Sequence, residues 1–325
     1  MERVQIMPRS YPTNLLQKDW TKRKCFYFQH GVDFIHKLHE MQVRHDDVWL
    51  VTLPKCGTTW MQELLWLVLN DYDFEGAQRE HLELRAPFLE FECMLNENLE
   101  TSLKPVEELR SPRLIKTHLP LPLLPSQVWS KKPKLVYVYR NPKDALVSGF
   151  YHSRSLGYEM DITCEQSLGD YMESSSLKCQ PFEHVTEFYA LRHEPWVFYT
   201  SFECMKSNLK QVIQQLVEFL NKSINEKQMK QMLQHLSFES MRDNPTTNHH
   251  WENERIHRLH SDRPSEHHNF VRKGQVGGYR EELSPAFIEK CDKWIEEQLH
   301  PYNLTMDELL LLGDEGKTHK ENTLN

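Results

Sequence analysis

The chain has 325 residues, with 39 lysines and arginines against 47 aspartates and glutamates, for a formal net charge of −8. This acidic balance excludes a protein that coats DNA or RNA, which would carry a basic surplus, so we expect no nucleic-acid partner. Hydrophobic residues make up 39% of the chain and charged residues 26%, so the chain can bury a sizeable core.

Strand-like and helix-like patterns alternate along the chain. Short runs rich in β-branched and aromatic residues predict strands over residues 48–53, 113–117, 134–139 and 196–200. Apolar periodicity and capping residues predict helices over residues 58–70, 142–154, 205–220 and 284–299. This alternation predicts a single α/β domain, in which helices flank a central, mainly parallel sheet.

Two long polar segments, residues 76–110 and 243–272, separate these elements. Segments of that length in a compact domain are often lids or binding loops, and we interpret both in this way. Six histidines crowd the second segment: His249, His250, His257, His260, His267 and His268. His257 and His260 have a spacing that could hold a metal, but no cysteine is nearby, so a solvated loop without metal is the favoured interpretation.

The cysteines and the apolar runs indicate a compartment. Seven cysteines are scattered without a Cys-x-x-Cys pair, which is typical of a reducing environment. The N-terminus has no apolar stretch typical of a signal peptide. The longest apolar runs, 64–69 and 309–312, fall far short of the roughly 18 residues that span a membrane. We therefore expect a cytoplasmic protein without a membrane partner.

A first anion-binding signal follows the strand 48–53. Residues 53–60 read Leu-Pro-Lys-Cys-Gly-Thr-Thr-Trp, so that Lys55, Gly57 and two hydroxyl residues fill a strand-to-helix turn. The free N–H groups of the following helix would point at an anion. The alternative is an ordinary capped helix with a surface lysine. The loop is not a Walker A motif, because its lysine precedes the glycine.

Two further segments carry cations suited to phosphate. Arg140 ends a predicted strand, and Ser148 lies about two helical turns further on, so both could meet one phosphate. Arg140 could equally pair with Asp144. Arg272 and Lys273 precede Gly274 in a polar loop, which suits an anion as well as plain solvent.

A candidate base lies at the end of another strand. Residues 116–120 read Lys-Thr-His-Leu-Pro, and ligands collect at the carboxyl ends of parallel strands. His118 can accept a proton near neutral pH, and Lys116 can balance developing negative charge.

These four segments together resemble the motifs of cytosolic sulfotransferases, in the same order, over about residues 46–279. We interpret the chain as an invertebrate-type member of that family. The resemblance implies transfer of a sulfuryl group from 3′-phosphoadenosine 5′-phosphosulfate (PAPS) to the hydroxyl or amine of a small acceptor, without a metal. It also implies three parts: an N-terminal segment 1–45 that contributes to the acceptor pocket, a sulfotransferase domain 46–300 and a C-terminal tail 301–325.

The resemblance also assigns roles to individual residues. His118 would be the base, with Lys55 and Lys116 as catalytic cations. The 5′-phosphosulfate would lie in a P-loop-like loop made of Lys55, Cys56, Gly57, Thr58, Thr59 and Trp60. The 3′-phosphate and the adenine would be held by Arg140, Ser148, Ser237, Phe238, Arg272, Lys273 and Gly274.

The chain departs from the family pattern at several positions. Phe202 and Leu236 replace a tyrosine and a threonine that contact the nucleotide in many relatives, so those two bonds are not carried over. Cys56 replaces serine or alanine in a loop that acts through its backbone. Residues 280–289 follow only loosely the pattern by which many vertebrate relatives dimerise, which leaves a homodimer possible.

The resemblance implies that the N-terminal segment and long loops shape the acceptor pocket, which here would be three stretches of the chain. Residues 25–28, 87–91 and 150–158 are rich in apolar and aromatic side chains, which favours a small phenol, alcohol or steroid-like acceptor over a polysaccharide, with ordinary core as the alternative. Two other functions are compatible with the motifs. One is a catalytically weak nucleotide-binding protein, and the other is an ATP-dependent phosphotransferase with a modified P-loop.

Overall fold

The protein is described by a computed structural model over residues 3–6, 12, 15–94, 100–173, 181–249, 253–254, 256, 258 and 269–313. In this part of the chain the strands fall into one two-stranded and one four-stranded sheet. They are β1 (Arg3–Ile6), β2 (Cys25–Phe28), β3 (Val48–Thr52), β4 (Leu114–Thr117), β5 (Lys134–Tyr139) and β6 (Val197–Ser201).

Helices fill most of the intervals between the strands. The helices of the first half are α1 (Val32–His39), α2 (Thr58–Leu69), α3 (Phe74–Arg79), α4 (Leu82–Arg85), α5 (Phe91–Met94), α6 (Glu100–Glu107), α7 (Gln127–Lys131) and α8 (Pro142–Ser155). Those of the second half are α9 (Cys164–Glu173), α10 (Pro181–Ala190), α11 (Phe202–Ser207), α12 (Leu209–Phe219), α13 (Glu226–His235), α14 (Phe238–Asp243), α15 (Pro285–Leu299) and α16 (Met306–Leu310). None of these helices combines the length and apolar character needed to cross a membrane.

The central sheet is parallel throughout, as predicted. Its strand order is β4-β3-β5-β6, and every neighbouring pair runs in the same direction. The carboxyl ends of all four strands therefore lie at one edge, where Thr52, Thr117 and Tyr139 end their strands. In this register Val51 pairs with Thr117, so the residues that follow these two lie close together.

Buried side chains cover both faces of the sheet. All five residues of β3 are buried, and they alternate between two clusters. Trp49 and Val51 pack on one face with residues of α1 and α10, whereas Val48 and Leu50 pack on the other with α2 and α12. Because a strand turns successive side chains to opposite faces, a continuous apolar run of this kind requires cover on both sides.

The predicted elements differ from the structure in two places. The helix predicted over 205–220 is divided, because Asn208 has non-helical backbone angles and its side chain caps α12 by accepting from the Gln211 N–H. The segment 76–110, predicted as a loop, contains α4, α5 and α6. These helices are four to eight residues long, which is too short for a clear apolar period.

An antiparallel pair near the N-terminus was not predicted. β1 pairs with β2. Arg23, which lies just before β2, anchors this part of the chain. The Arg23 side chain is fully buried and reaches Glu187 at 2.7 Å and Glu183 at 2.6 Å on α10. This double ion pair fixes the N-terminal segment against the helix layer.

A buried ion pair at the start of β3 should be essential for folding. Asp47 and Arg113 are 0% and 2% exposed, with the closest atoms 2.6 Å apart. Asp47→Ala leaves the guanidinium buried without its counter-charge, and we expect a loss of about 3–5 kcal/mol in the free energy of unfolding. Glu108→Ala, which removes one half of the exposed Lys104–Glu108 pair, should change it by less than about 1 kcal/mol. Urea unfolding of both variants measures this, and equal losses would contradict the assignment.

Candidate active site

The turn between β3 and α2 is shaped for an anion. Lys55 and Gly57 both have left-handed backbone angles, with φ of 64° and 90°. A Cβ at position 57 would lie 2.8 Å from the Phe202 ring, so glycine is required there for space as well as for conformation. No side chain caps the first turn of α2, which leaves its N–H groups for a ligand. The loop therefore has the backbone geometry that the sequence predicted.

His118 is connected to this turn by hydrogen bonds. Its Nδ1 lies 2.8 Å from the Thr52 carbonyl oxygen and 3.2 Å from Thr52 Oγ1, which in turn lies 2.7 Å from Thr58 Oγ1. Because a carbonyl can only accept, Nδ1 carries the proton in the neutral ring, and the lone pair is on Nε2. The candidate base thus has a fixed tautomer and is held beside the anion-binding turn.

Two neighbours of His118 set the local charge. Lys116 lies two residues earlier on the same side of β4, is 5% exposed, and has its Nζ 4.7 Å from the Phe88 ring. Glu90, which the sequence analysis did not identify, accepts from the His118 backbone N–H at 2.8 Å. Burial raises the pKa of Glu90 to about 7, against the opposing effect of hydrogen bonds from Thr117 and His118. Through this hydrogen bond Glu90 fixes the backbone position of His118.

Arg140 joins the first and second motifs. Arg140 is 9% exposed, and its guanidinium donates to the carbonyl oxygens of Lys55 at 3.1 Å and Gln275 at 3.0 Å. The alternative of a contact pair with Asp144 does not hold, because Asp144 accepts from the N–H groups of Gly277 and Tyr279. The Nε of Arg140 is buried without a partner, so one strong donor remains for a ligand.

The third motif carries its own counter-charges. Arg272 reaches Glu282 at 3.0 Å, and Lys273 reaches Glu282 at 2.6 Å and Glu281 at 2.8 Å. Burial raises the pKa of Glu282, but bonds from Lys273, Tyr151 and Arg272 outweigh it and lower that pKa to about 2. The two cations are therefore oriented by a carboxylate, rather than held only by solvent.

The aromatic residues around Trp60 and Phe238 pack against neighbouring parts of the candidate site. Trp60 donates from Nε1 to the Leu236 carbonyl at 2.9 Å, and its ring meets the Phe202 ring edge-on at 5.6 Å. Phe202 also lies 4.2 Å under the Arg140 guanidinium, so the two departures from the family pattern support neighbouring site residues. Ser237 uses its hydroxyl to cap α14. A Cβ at Gly274 would lie 2.5 Å from the Phe238 ring, which requires the glycine there.

A cavity of about 320 Å³ collects nearly all of these residues. The sequence-predicted residues that line it are Lys55, Gly57, Thr58, Thr59, Trp60, Lys116, His118, Arg140, Ser148, Phe238, Arg272, Lys273 and Gly274. Cys56 lies just behind the loop, where burial raises the pKa of its thiol to about 12 and keeps it protonated. Among the described residues, six lysines and arginines (the five predicted ones and Lys206) line the cavity, and together with two glycine cradles they fit a ligand with several phosphate or sulfate groups.

One prediction about the histidine-rich segment is wrong. His249 is not solvated but 4% exposed, packed 4.0 Å from the Phe270 ring and bonded to Thr59. The other five histidines of that segment lie outside the described residues. Within the described part of the chain, no group of histidines, cysteines and carboxylates has the arrangement of a metal site.

A second cavity, of about 650 Å³, lies on the other side of Lys55. Its walls include Phe150, Phe182 and Trp294, and it extends next to Gly149, where an added Cβ would find no atom closer than 4.0 Å. His118 does not line this cavity. The space next to the base is therefore the smaller one.

Comparison with known proteins identifies the family. The model of the Sulfotransferase domain family matches residues 45–303. Luciferin sulfotransferase of Photinus pyralis is 34% identical over 286 residues, covering 82% of this chain and 75% of the relative. Sulfotransferase 1A1 of Rattus norvegicus is 35% identical over 254 residues, covering 76% and 82%. A solved structure of retinol dehydratase with retinol and PAP (adenosine 3′,5′-bisphosphate, PAPS without its sulfuryl group) has a TM-score of 0.75 and 27% identity, covering 87% and 89%.

The chain belongs to the sulfotransferase family. It is a PAPS-dependent sulfotransferase, and the candidate site lies at the carboxyl edge of its central parallel sheet. The turn between β3 and α2 and the cationic cavity have the chemistry that suits the anionic groups of that co-substrate.

Gly57 offers a direct test of the turn. Gly57→Ala adds a Cβ against the Phe202 ring and imposes a left-handed backbone on alanine, so the turn must shift. We expect the affinity for PAP to fall roughly tenfold or more, since about 1.4 kcal/mol corresponds to a factor of ten. Isothermal titration calorimetry measures it.

Gly169→Ala is the matched control. Its Cβ would meet nothing within 4 Å in the interior of α9, where alanine is favoured over glycine. PAP affinity should therefore stay unchanged in this variant. Unchanged affinity in both variants would contradict the role of Gly57.

Proposed function

We propose that His118 is the general base of the sulfuryl transfer. Its Nε2 takes the proton of the acceptor hydroxyl while the acceptor oxygen forms a bond to sulfur and the sulfur–oxygen bond to the phosphate breaks. The electron pair of that bond leaves with PAP. The observation that carries this proposal is the bond of Nδ1 to the Thr52 carbonyl, which leaves the lone pair on Nε2 beside the turn.

Three groups would stabilise the charge that develops during transfer. Lys55 and the N–H groups at the start of α2 would act on the oxygen of the leaving phosphate, and Lys116 on the sulfuryl oxygens. Lys55 Nζ lies 3.6 Å from the Phe270 ring, so the ammonium is held by a cation–π contact from which it can swing to an anion. PAPS supplies the sulfuryl group, and these residues supply position and electrostatics.

The remaining cations would hold the 3′-phosphate. Arg140, Arg272 and Lys273 line the cavity beyond the turn, and Ser148 on α8 adds a hydroxyl. The unpartnered Nε of Arg140 and the cradle at Gly274 support this assignment. Ser237 and Phe238 would lie on the adenine side with Trp60.

Two substitutions separate catalysis from binding. His118→Ala should lower turnover at least about 100-fold, which is the usual contribution of a general base, and leave PAP affinity within a few-fold. Arg140→Ala should weaken PAP binding by roughly a factor of ten to a hundred, because it removes a buried charged donor. A transfer assay with radiolabelled PAPS and calorimetry with PAP measure the two effects. Turnover within a few-fold of the unmodified enzyme would rule out His118 as the base.

We infer that the acceptor is small and largely apolar. Next to His118 and Lys116 the cavity walls are Phe88, Phe91 and Leu156, from two of the three stretches in which apolar composition predicted a pocket. The third stretch, Cys25–Phe28, lies in the hydrophobic core. A phenol, alcohol or steroid-like molecule fits walls of this kind.

A panel of hydroxylated acceptors tests this inference. We expect phenols and apolar alcohols to be sulfated and oligosaccharides to be left unchanged, with mass spectrometry of the products as the measurement. Because one relative of similar structure is a retinol dehydratase, the spectra should be searched for loss of water as well as for gain of a sulfuryl group. Sulfation of oligosaccharides alone would overturn the inference.

We also propose residues 46–300 as the sulfotransferase domain, with 1–45 as an acceptor-side segment and 301–325 as a tail. The six cysteines in the described residues are not joined in disulfides, which supports a role in the reducing cytoplasm. The firefly relative supports the interpretation as an invertebrate-type enzyme.

A further inference from the structure

A histidine–carboxylate pair, formed by Glu83 and His249, contacts the proposed phosphosulfate-binding turn away from His118. His249 Nε2 lies 2.7 Å from the hydroxyl oxygen of Thr59, and its Nδ1 lies 2.9 Å from Glu83 Oε1. The carboxylate is close enough for a charge contact but is not aligned with the N–H bond. Glu83 and His249 are 7% and 4% exposed, so water does not compete strongly for either group. Thr59 and His249 both line the nucleotide cavity.

The surrounding backbone holds this pair in place. The Leu82 N–H donates to the Thr246 carbonyl at 2.8 Å, which ties α4 to the segment that carries His249. The hydroxyl of Thr246 donates to the Ala77 carbonyl at 2.8 Å, which ties the same segment to α3. His249 itself has a φ of 57°, a conformation that a non-glycine residue adopts only where its neighbours enforce it.

The protonation state of His249 decides what Thr59 can offer an anion. In a neutral ring with the proton on Nδ1, Nε2 can only accept, so the Thr59 hydroxyl proton is directed to the ring. The oxygen lone pairs of Thr59 then face the cavity and repel an anion. In the protonated ring both nitrogens donate. Thr59 then accepts from Nε2, and its own hydroxyl can donate a hydrogen bond to a phosphosulfate oxygen.

The charges around His249 act in both directions. Glu83 favours the protonated ring: burial raises the pKa of Glu83, but the charge of a protonated His249 outweighs burial and lowers that pKa. Lys116, Lys55 and His152 are the other titratable groups facing this region. The positive charge of the two lysines disfavours a protonated ring, whereas burial and neighbouring charges lower the pKa of His152 well below its usual range, so His152 is neutral. A bound phosphosulfate would add negative charge on the side of Thr59 and shift the balance towards protonation.

We propose that Glu83 and His249 are positioning residues that convert Thr59 into a donor to the nucleotide, so that PAP and PAPS bind together with a proton taken up at His249. This inference rests on the proposed binding of the 5′-phosphate at residues 55–60. It adds a proton linkage to co-substrate binding that the four sequence motifs do not contain. The protonated form binds more tightly, so affinity falls as pH rises.

Calorimetry of PAP binding between about pH 6 and pH 8.5, in buffers of different ionisation enthalpy, measures proton uptake directly. Phosphate groups titrate near pH 6, so variants are compared with the unmodified enzyme at each pH. Glu83→Gln removes the charge that favours protonation of His249 when the nucleotide binds. We expect about tenfold weaker binding near pH 7.5, less proton uptake there, and recovery towards pH 6.

His249→Gln supplies a permanent amide donor in place of the ring. It should bind PAP with an affinity that varies less with pH than that of the unmodified enzyme, and with less proton uptake. Thr59→Val removes the hydroxyl, so adding Glu83→Gln to it should weaken binding no further. If Glu83 and His249 had a purely structural role, their substitution would weaken PAP binding equally at every pH. The effect of Glu83→Gln would then add to that of Thr59→Val.

His235→Gln is the matched control, because His235 forms an equally buried pair with Glu63 at 2.7 Å without a bond to Thr59. Its pH dependence of PAP binding should equal that of the unmodified enzyme. Unchanged pH dependence in Glu83→Gln and His249→Gln, with PAP still bound, would overturn the proton linkage and leave the proposed function standing. Absence of PAP binding to the unmodified enzyme would overturn the nucleotide assignment itself.

Discussion

The site depends on the parallel pairing of β3 with β4. That register sets Val51 opposite Thr117, and the chain continues into Thr52 and His118, whose ring bonds the Thr52 carbonyl at 2.8 Å. Thr52 also bonds Thr58 at the start of α2. The proposed base and the proposed phosphosulfate-binding turn are thus attached to the same two strand ends. Their separation is fixed by backbone hydrogen bonds of the core rather than by surface loops.

An acidic protein binds a polyanion here because its carboxylates lie behind its cations. Glu282 bonds Arg272 and Lys273, and Glu83 faces His249. Each carboxylate holds a donor in one orientation and lowers the cost of bringing like charges together before the nucleotide arrives. The net charge of −8 therefore says little about the cavity, where the cations are concentrated.

The sequence was a good guide where short-range rules decide the structure. The strand 134–139 and the helices that begin near residues 142 and 284 were predicted correctly, and Asn141 and Ser284 cap those helices, because apolar runs and caps act within a few residues. The buried role of His249 could not be predicted, since it depends on Glu83 and Thr59, which both lie far from it in the sequence. Glu90 was missed for the same reason.

In the histidine-rich segment, polar composition predicted solvent exposure although His249 is buried. A polar stretch with charged neighbours is typical of a solvated loop, and nothing in its spacing distinguishes His249 from the histidines that follow. What distinguishes it is a pair of oxygen atoms on two other elements, one on each side of the ring. A ring with both nitrogens engaged changes its bonding pattern when it gains a proton, whereas a solvated histidine changes only its charge. Burial between two fixed partners is therefore what allows a single proton at this position to alter the hydrogen bonding of the turn.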